Sequence, residues 1–269
     1  MKIPFCKYQG TGNDFVIIDN RKGIFQNMMN RDVIERICNR KFGIGADGLI
    51  LLELDASSDF KMIYFNADGN ESSMCGNGGR CISAFAESLN MIGQKGVFNA
   101  VDGMHEFIVT RKQDENECTH IKLKMKDVDA IERMDDRLYL NTGSPHLIVF
   151  SDSISALNVN EEGSKIRYSE RFLKEGTNVN FVCKEGDEIF LRTYERGVEA
   201  ETLSCGTGAT AAALAAAYTG MAPNSGSCTL KTLGGFLKVY YVEGSKQGSY
   251  KEVWLEGPAQ LVFTGEIEL

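Results

Sequence analysis

The chain has 269 residues, 43% hydrophobic and 25% charged, which suits a soluble globular protein of one large domain or two modest ones. Its net charge of -8 argues against nucleic acid or an anionic membrane as main partner, though not against a small anionic substrate. The eight cysteines form no C-x-x-C pair, and the three histidines lack metal-ligand spacing from any cysteine pair. That pattern fits neither a disulfide framework nor a zinc site. The expectation is a reducing cytosol, with no metal and no cofactor. The first residues carry no signal-peptide core, and the apolar run 211–218 is too short to span a bilayer.

In chain order, Thr11-Gly12-Asn13 leads into a strand at 15–19, followed by a helix at 31–39. Strands follow at 49–54 and 62–65. The octapeptide M-C-G-N-G-G-R-C (74–81) then opens a helix placed at 79–90, where Ile82, Phe85, Ala86 and Leu89 share one face. Strands at 107–110 and 120–125 lead to a charged run at 124–137. Thr142-Gly143-Ser144 precedes a strand at 147–150, and another strand is expected at 189–194. After L-S-C-G-T-G-A-T (203–210) comes a helix at 206–219 in a stretch with no charged residue, so it should be buried and wrapped by a sheet. Strands at 236–242 and 253–256 follow.

Two halves repeat within this order. Cys75 and Cys205, each before Gly-x-Gly and a helix, stand about 130 positions apart. The Thr-Gly-polar turns before the strands at 15–19 and 147–150 keep nearly the same offset. The reading is an α+β protein of two pseudo-symmetric domains. Each is a curled, mostly antiparallel, barrel-like sheet around a central helix. The boundaries are 1–128 with a returning C-terminal strand 259–269, and 129–258.

A helix N-terminus carries partial positive charge and unpaired N–H groups. A cysteine there is more readily a thiolate, and glycines after it let an anion reach the backbone. A single cysteine before glycine reads more readily as a small buried hydrophobe. Two at matching positions, facing one cleft, suit inversion at a carbon acid: one thiolate removes the α-proton and the other thiol returns a proton to the opposite face. Gly206-Thr207-Gly208-Ala209-Thr210-Ala211 fits a dinucleotide fingerprint, but no acidic residue lies between Glu201 and Glu243 to hold a ribose. No Walker A loop occurs. A dithiol redox sensor built on Cys75 and Cys205 is the non-enzymatic alternative.

At these residues the sequence resembles the diaminopimelate epimerases, over nearly the whole chain. The shared motifs are G-T-G-N-D-F-V-I-I-D (10–19), G-A-D-G-L-I (45–50), F-N-A-D-G (65–69), M-C-G-N-G-G-R-C, G-S-P-H (143–146), N-V-N-F (178–181), Y-E-R-G (194–197) and S-C-G-T-G-A (204–209). The resemblance implies a PLP-independent epimerase that interconverts LL- and meso-2,6-diaminoheptanedioate, in lysine and peptidoglycan precursor biosynthesis. Cys75 and Cys205 would be the acid/base pair, with Cys205 the acceptor in the LL-to-meso direction. Backbone N–H groups of Gly76, Asn77, Gly206 and Thr207 would hold the α-carboxylate. His146 and Glu195 would tune the thiols; as bare residues, they could equally cap a turn and pair with Arg196.

Arg196 would grip the distal carboxylate, with Asn13, Asn66, Asn178 and Glu195 in the substrate contacts, although an asparagine alone reads as a turn residue. Gly48 and Ser144 stand where the family often has Gln and Asn. Water or a neighbour is expected to replace the missing side chain at Gly48. The family forms homodimers, which would put Phe263 at the interface or, on the plainer reading, in the core. A proline racemase-like isomerase on the same fold is the enzymatic alternative.

Overall fold

The computed structural model describes residues 2–26, 29–72, 74–111 and 118–269. Among them the strands are β1 Lys2–Gly10, β2 Asn13–Asp19, β3 Gly48–Glu53, β4 Phe60–Asn66, β5 Lys95–Ala100, β6 Gly103–Arg111, β7 Thr119–Lys124, β8 Glu132–Met134, β9 Arg137–Asn141, β10 Pro145–Phe150, β11 Asn178–Glu185, β12 Glu188–Glu195, β13 Ala200–Thr202, β14 Gly226–Thr232, β15 Gly235–Glu243 and β16 Tyr250–Glu268. The helices are α1 Arg31–Cys38, α2 Gly76–Ser88, α3 Val159–Arg167 and α4 Gly206–Tyr218. Contacts divide the chain into Met1–Leu123 with Gly257–Leu269, and Lys124–Glu256.

In the first unit the strands β1 to β7 neighbour one another in sequence order. The C-terminal part of β16 pairs antiparallel with β1, from Lys2↔Glu268 to Gln9↔Gln260, and β7 is its other neighbour. The strand order therefore returns on itself around α2, which packs on β1, β2, β3, β4 and β6. Alternate inward side chains supply the packing: Phe15, Ile17, Ile50, Met62, Phe98 and Leu123 are buried. A second apolar cluster under α1 includes Ile34, Ile37, Val16, Ile18, Leu49 and Leu51.

The second unit repeats the plan. β2 and β3 pair parallel, with α1 between them in sequence, as β10 and β11 do with α3. β3–β4 and β11–β12 are antiparallel; β4–β5 and β12–β14 are parallel, with α2 and α4 in the respective crossovers. α4 packs on β9, β10, β11, β12, β14 and β15. It has no charged residue, and Gly208 through Ala217 are all buried, so a core helix of alanines is enclosed by its own sheet.

Three departures from the sequence reading have physical causes. α2 begins at Gly76 rather than residue 79. Glycines cost a helix roughly 1 kcal/mol each, so Gly76, Gly78 and Gly79 argue for a loop. Packing overrides that cost, because a Cβ at Gly78 would stand 3.1 Å from Ile50, and one at Gly79 would stand 3.1 Å from Leu123 and Met74. Gly76 through Ala86 are all buried, so α2 has no solvent face along that length.

α3 was not anticipated. Asn158 caps it by accepting from Glu161 N, with Glu161 and Glu162 in the first turn and Lys165 and Arg167 in the last. Gly163 interrupts its apolar period, since a Cβ there would meet the Tyr194 side chain at 2.4 Å. Finally, β16 continues through Gly257 and Pro258 as one strand of 19 residues, where a glycine-proline pair reads as a break.

Candidate active site

The two cysteine helices match closely. α2 and α4 are each 13 residues long, each has a cysteine as extended N-cap (Cys75 and Cys205), and neither cap is side-chain bonded to the helix. Both therefore direct the N–H groups of the first turn, from Gly76 and Asn77 in one and Gly206 and Thr207 in the other, to the end where the thiol sits. None of the eight cysteines is disulfide-bonded. Among the described residues, no group of three or more His, Cys, Asp or Glu is gathered to hold a metal.

In the first unit, Asn13 opens β2 beside Cys75. Its Oδ1 accepts from Asn77 Nδ2 at 3.2 Å and lies 3.5 Å from Cys75 Sγ. Its Nδ2 donates to Asp47 Oδ2 at 2.6 Å. Asp47 is held by Arg40 at 2.8 Å, and Arg40 and the buried Lys7 both pair with Asp14. Asp14 is half-buried, which raises a carboxyl, but hydrogen bonds from Arg40 and Lys7 outweigh burial and hold it down at about 2. This ionic brace, in which Asp47 carried no role of its own in the sequence reading, fixes the asparagine that touches the thiol.

Gly48 starts β3 between Phe15 and Asn66, and Asn66 is exposed. A Cβ at Gly48 would meet Phe65 O and the Tyr64 ring at 2.5 Å, and the Tyr64 hydroxyl at 3.1 Å. The space of a longer side chain is thus taken by a neighbour, Tyr64.

In the second unit, Asn178 Oδ1 accepts from the Arg196 backbone N–H at 2.9 Å, and its Nδ2 donates to Ser144 Oγ and Pro145 O, both at 2.9 Å. Arg196 is exposed; its guanidinium donates to Glu175 O at 2.9 Å and to Ser144 Oγ at 3.4 Å. Ser144, Asn178 and Arg196 therefore form one pre-organised polar group. Glu195 Oε2 accepts from Thr202 Oγ1 at 2.9 Å, and Cys205 Sγ lies 3.5 Å from Thr207 Oγ1.

His146 is fully buried. Asn180, also buried, donates through Nδ2 to Leu147 O at 3.2 Å and meets His146 Nδ1 at 3.1 Å, while its Oδ1 accepts from Thr193 at 3.0 Å. With the amide so oriented, Nδ1 is the acceptor and Nε2 carries the proton. Nε2 has no hydrogen-bond partner among the described residues. Burial, then the charge of Arg196, push the His146 pKa down to about 3. The ring is neutral at physiological pH.

The unfolded chain binds this proton near its ordinary value of about 6.5, so stability is full above that pH and falls as pH drops toward 3. His146→Gln is expected to flatten the acid limb of the unfolding curve between those values. Denaturant unfolding across pH checks it, and an unchanged limb would refute the burial argument. Asn180 was missed in the sequence, although its place two residues from Asn178 on one strand puts both on one face.

Phe263 is 46% exposed and meets Phe5 edge-on at 5.9 Å. It lies at the surface, which corrects the core alternative.

The diaminopimelate epimerase family profile matches residues 5–121 and 138–262. A diaminopimelate epimerase of Flavobacterium psychrophilum is 51% identical over 258 residues, 96% of this chain and 97% of that protein. The chain belongs to the diaminopimelate epimerase family. The Chlorobaculum tepidum diaminopimelate epimerase is 39% identical, covering 97% of this chain and 99% of its own. Among solved structures, a Bacillus anthracis phenazine biosynthesis protein superposes with a TM-score of 0.75 at 15% identity, over 100% of both chains. A hydroxyproline epimerase from Agrobacterium vitis superposes at 0.67 and 13% identity, over 100% of this chain and 93% of its own. These two share the fold. Family membership sets the diaminopimelate epimerase reading above the proline racemase-like one.

Proposed function

We propose that the chain interconverts LL- and meso-2,6-diaminoheptanedioate by two-thiol proton exchange. The observation that carries this is the pair of matched helices capped by Cys75 and Cys205, in a chain 51% identical to a protein named for that reaction. One cysteine, as thiolate, takes the α-proton; the C–H electron pair stays on carbon, delocalised into the carboxylate. The other cysteine, as thiol, gives its proton to the opposite face and becomes the thiolate. Product thus leaves the two roles exchanged. Helix N–H groups of Gly76, Asn77, Gly206 and Thr207 stabilise the carboxylate as charge builds on it. His146, neutral with an N–H to offer, and Glu195 set the charge around the second thiol, while Arg196, Ser144 and Asn178 take the distal amino-carboxylate end with Asn13 and Asn66.

The same reading includes a cytosolic location, where thiols stay reduced, and a homodimer. The exposed run Leu261, Val262 and Phe263 supports the dimer, and a monomer on sedimentation would remove it. Epimerisation itself is tested by incubating the reduced protein with the LL substrate in heavy water. Deuterium should appear at the inverted α-carbon without added PLP. No exchange and no meso product would defeat the proposal.

A further inference from the structure

Arg80 is a charged side chain that the reaction just described does not use. It lies within α2, five residues from Cys75, and is fully buried. Among the described residues its guanidinium donates only to neutral acceptors: Nε to Pro258 O at 3.3 Å, Nη1 to Gly76 O at 3.3 Å and Nη2 to Thr11 Oγ1 at 3.1 Å. Among the described residues no carboxylate forms a salt bridge with it. The thiols of Cys81, Cys75 and Cys118 are among the groups whose charge it feels, and its bond to Gly76 O holds it at the residue next to Cys75. An arginine stays charged, and burying it without an anion is strongly unfavourable.

The fold leaves room for the group: a Cβ at Gly10 would stand 3.3 Å from Nη2. The guanidinium is not needed to satisfy the helix. At the matching position of α4 stands Thr210, also buried, whose hydroxyl gives to Gly206 O at 3.0 Å. A neutral threonine thus does for the second helix what Arg80 Nη1 does for the first, and the positive charge is what differs.

Two of the three thiols are poor counter-ions. Burial pushes Cys81 far above the usual thiol range. Cys118 is buried and donates to Ala259 O at 3.6 Å. Cys75 alone sits at a helix N-terminus and is only half-buried. Of the other charged groups nearby, Asp14 pairs with Lys7 and Arg40, Asp47 with Arg40, and Asp102 with His105.

We propose that Arg80 is the buried counter-cation of the Cys75 thiolate, holding the first cysteine ionised in the resting protein and making two otherwise matched cysteines unequal. This rests on the reading of Cys75 as an acid/base group. Arg80 touches no reacting atom; it is a positioning residue for charge. The resting protein then carries its base on Cys75 and its acid on Cys205.

The test is the pH dependence of iodoacetamide alkylation at Cys75 and at Cys205, followed peptide by peptide by mass spectrometry in the full chain. In the unaltered protein the Cys75 inflection should lie below that of Cys205. Arg80→Thr, which copies the second helix, should raise the Cys75 inflection by about one unit, slowing its alkylation near neutral pH about tenfold. Arg80→Lys, which keeps the charge, should restore most of the rate, and Cys205 should not respond to either change. An unmoved Cys75 inflection in folded Arg80→Thr protein would overturn the proposal. So would a Cys75 inflection at or above that of Cys205 in the unaltered chain, which decides the matter if Arg80→Thr does not fold. Alkylation follows the Cys75 proton and not turnover, so a missing epimerase activity would defeat the proposed function while leaving this result to stand separately.

Discussion

Cys75→Ser and Cys205→Ser should each lower epimerisation in both directions by about a hundredfold to ten-thousandfold. A serine hydroxyl is far too weak an acid to stand as an alkoxide at neutral pH, so it can neither take the α-proton nor hold charge at the helix N-terminus. Oxygen replaces sulfur with little change of volume, and neither cap makes a side-chain bond to its helix. The unfolding midpoint should therefore move little. Steady-state rates from LL and from meso substrate, with circular dichroism as the fold check, measure it. Near-normal turnover by either variant would sink the two-thiol mechanism, and would reopen the question of what the repeated cysteine caps are for.

Gly208→Ala should damage the second thiol without touching its chemistry. A Cβ at Gly208 would lie 2.6 Å from Asn180 Oδ1, 3.2 Å from Cys205 Cβ and 3.3 Å from Cys205 Sγ. Asn180 cannot easily yield, because it is buried and bonded to Leu147, His146 and Thr193. The added methyl must therefore push Cys205 aside or break that group. Overpacking of this kind costs about 1–3 kcal/mol, and a misplacement near 1 Å in a reacting group lowers rate by about a hundredfold. The expected result is a fall in kcat larger than the change in KM, with a lowered unfolding midpoint. Gly93→Ala, where an added Cβ meets nothing within 4 Å, serves as the neutral comparison. Unaltered kcat in Gly208→Ala would show that Cys205 has slack the packing argument denies.

The sequence carried the repeat, the α+β class and the buried second helix because these depend on local signals: turn glycines, a charge-free run and strand-length apolar segments. It misplaced the start of α2 because Gly78 and Gly79 are in the helix for reasons of space around them, contributed by Ile50, Leu123 and Met74 from elsewhere in the chain. It passed over α3 for a similar reason, since Gly163 yields to Tyr194. Asp47 was invisible as a participant, because its role passes through Asn13 on one side and Arg40 on the other. Nor could a search for charged pairs flag Arg80, whose hydrogen-bond partners are carbonyls and a hydroxyl.

The pairing of β1 with β16 also sets an order of assembly. Lys2 through Gln9 are synthesised about 250 residues before their partners, Gln260 through Glu268. Domains generally fold as units during synthesis, N-terminal first. Here the first unit waits for Gly257–Leu269, while Lys124–Glu256 has all of its residues available earlier. The second unit is thus the first that can close, and until residues 260–268 emerge the β1 edge that they cover stays unpaired.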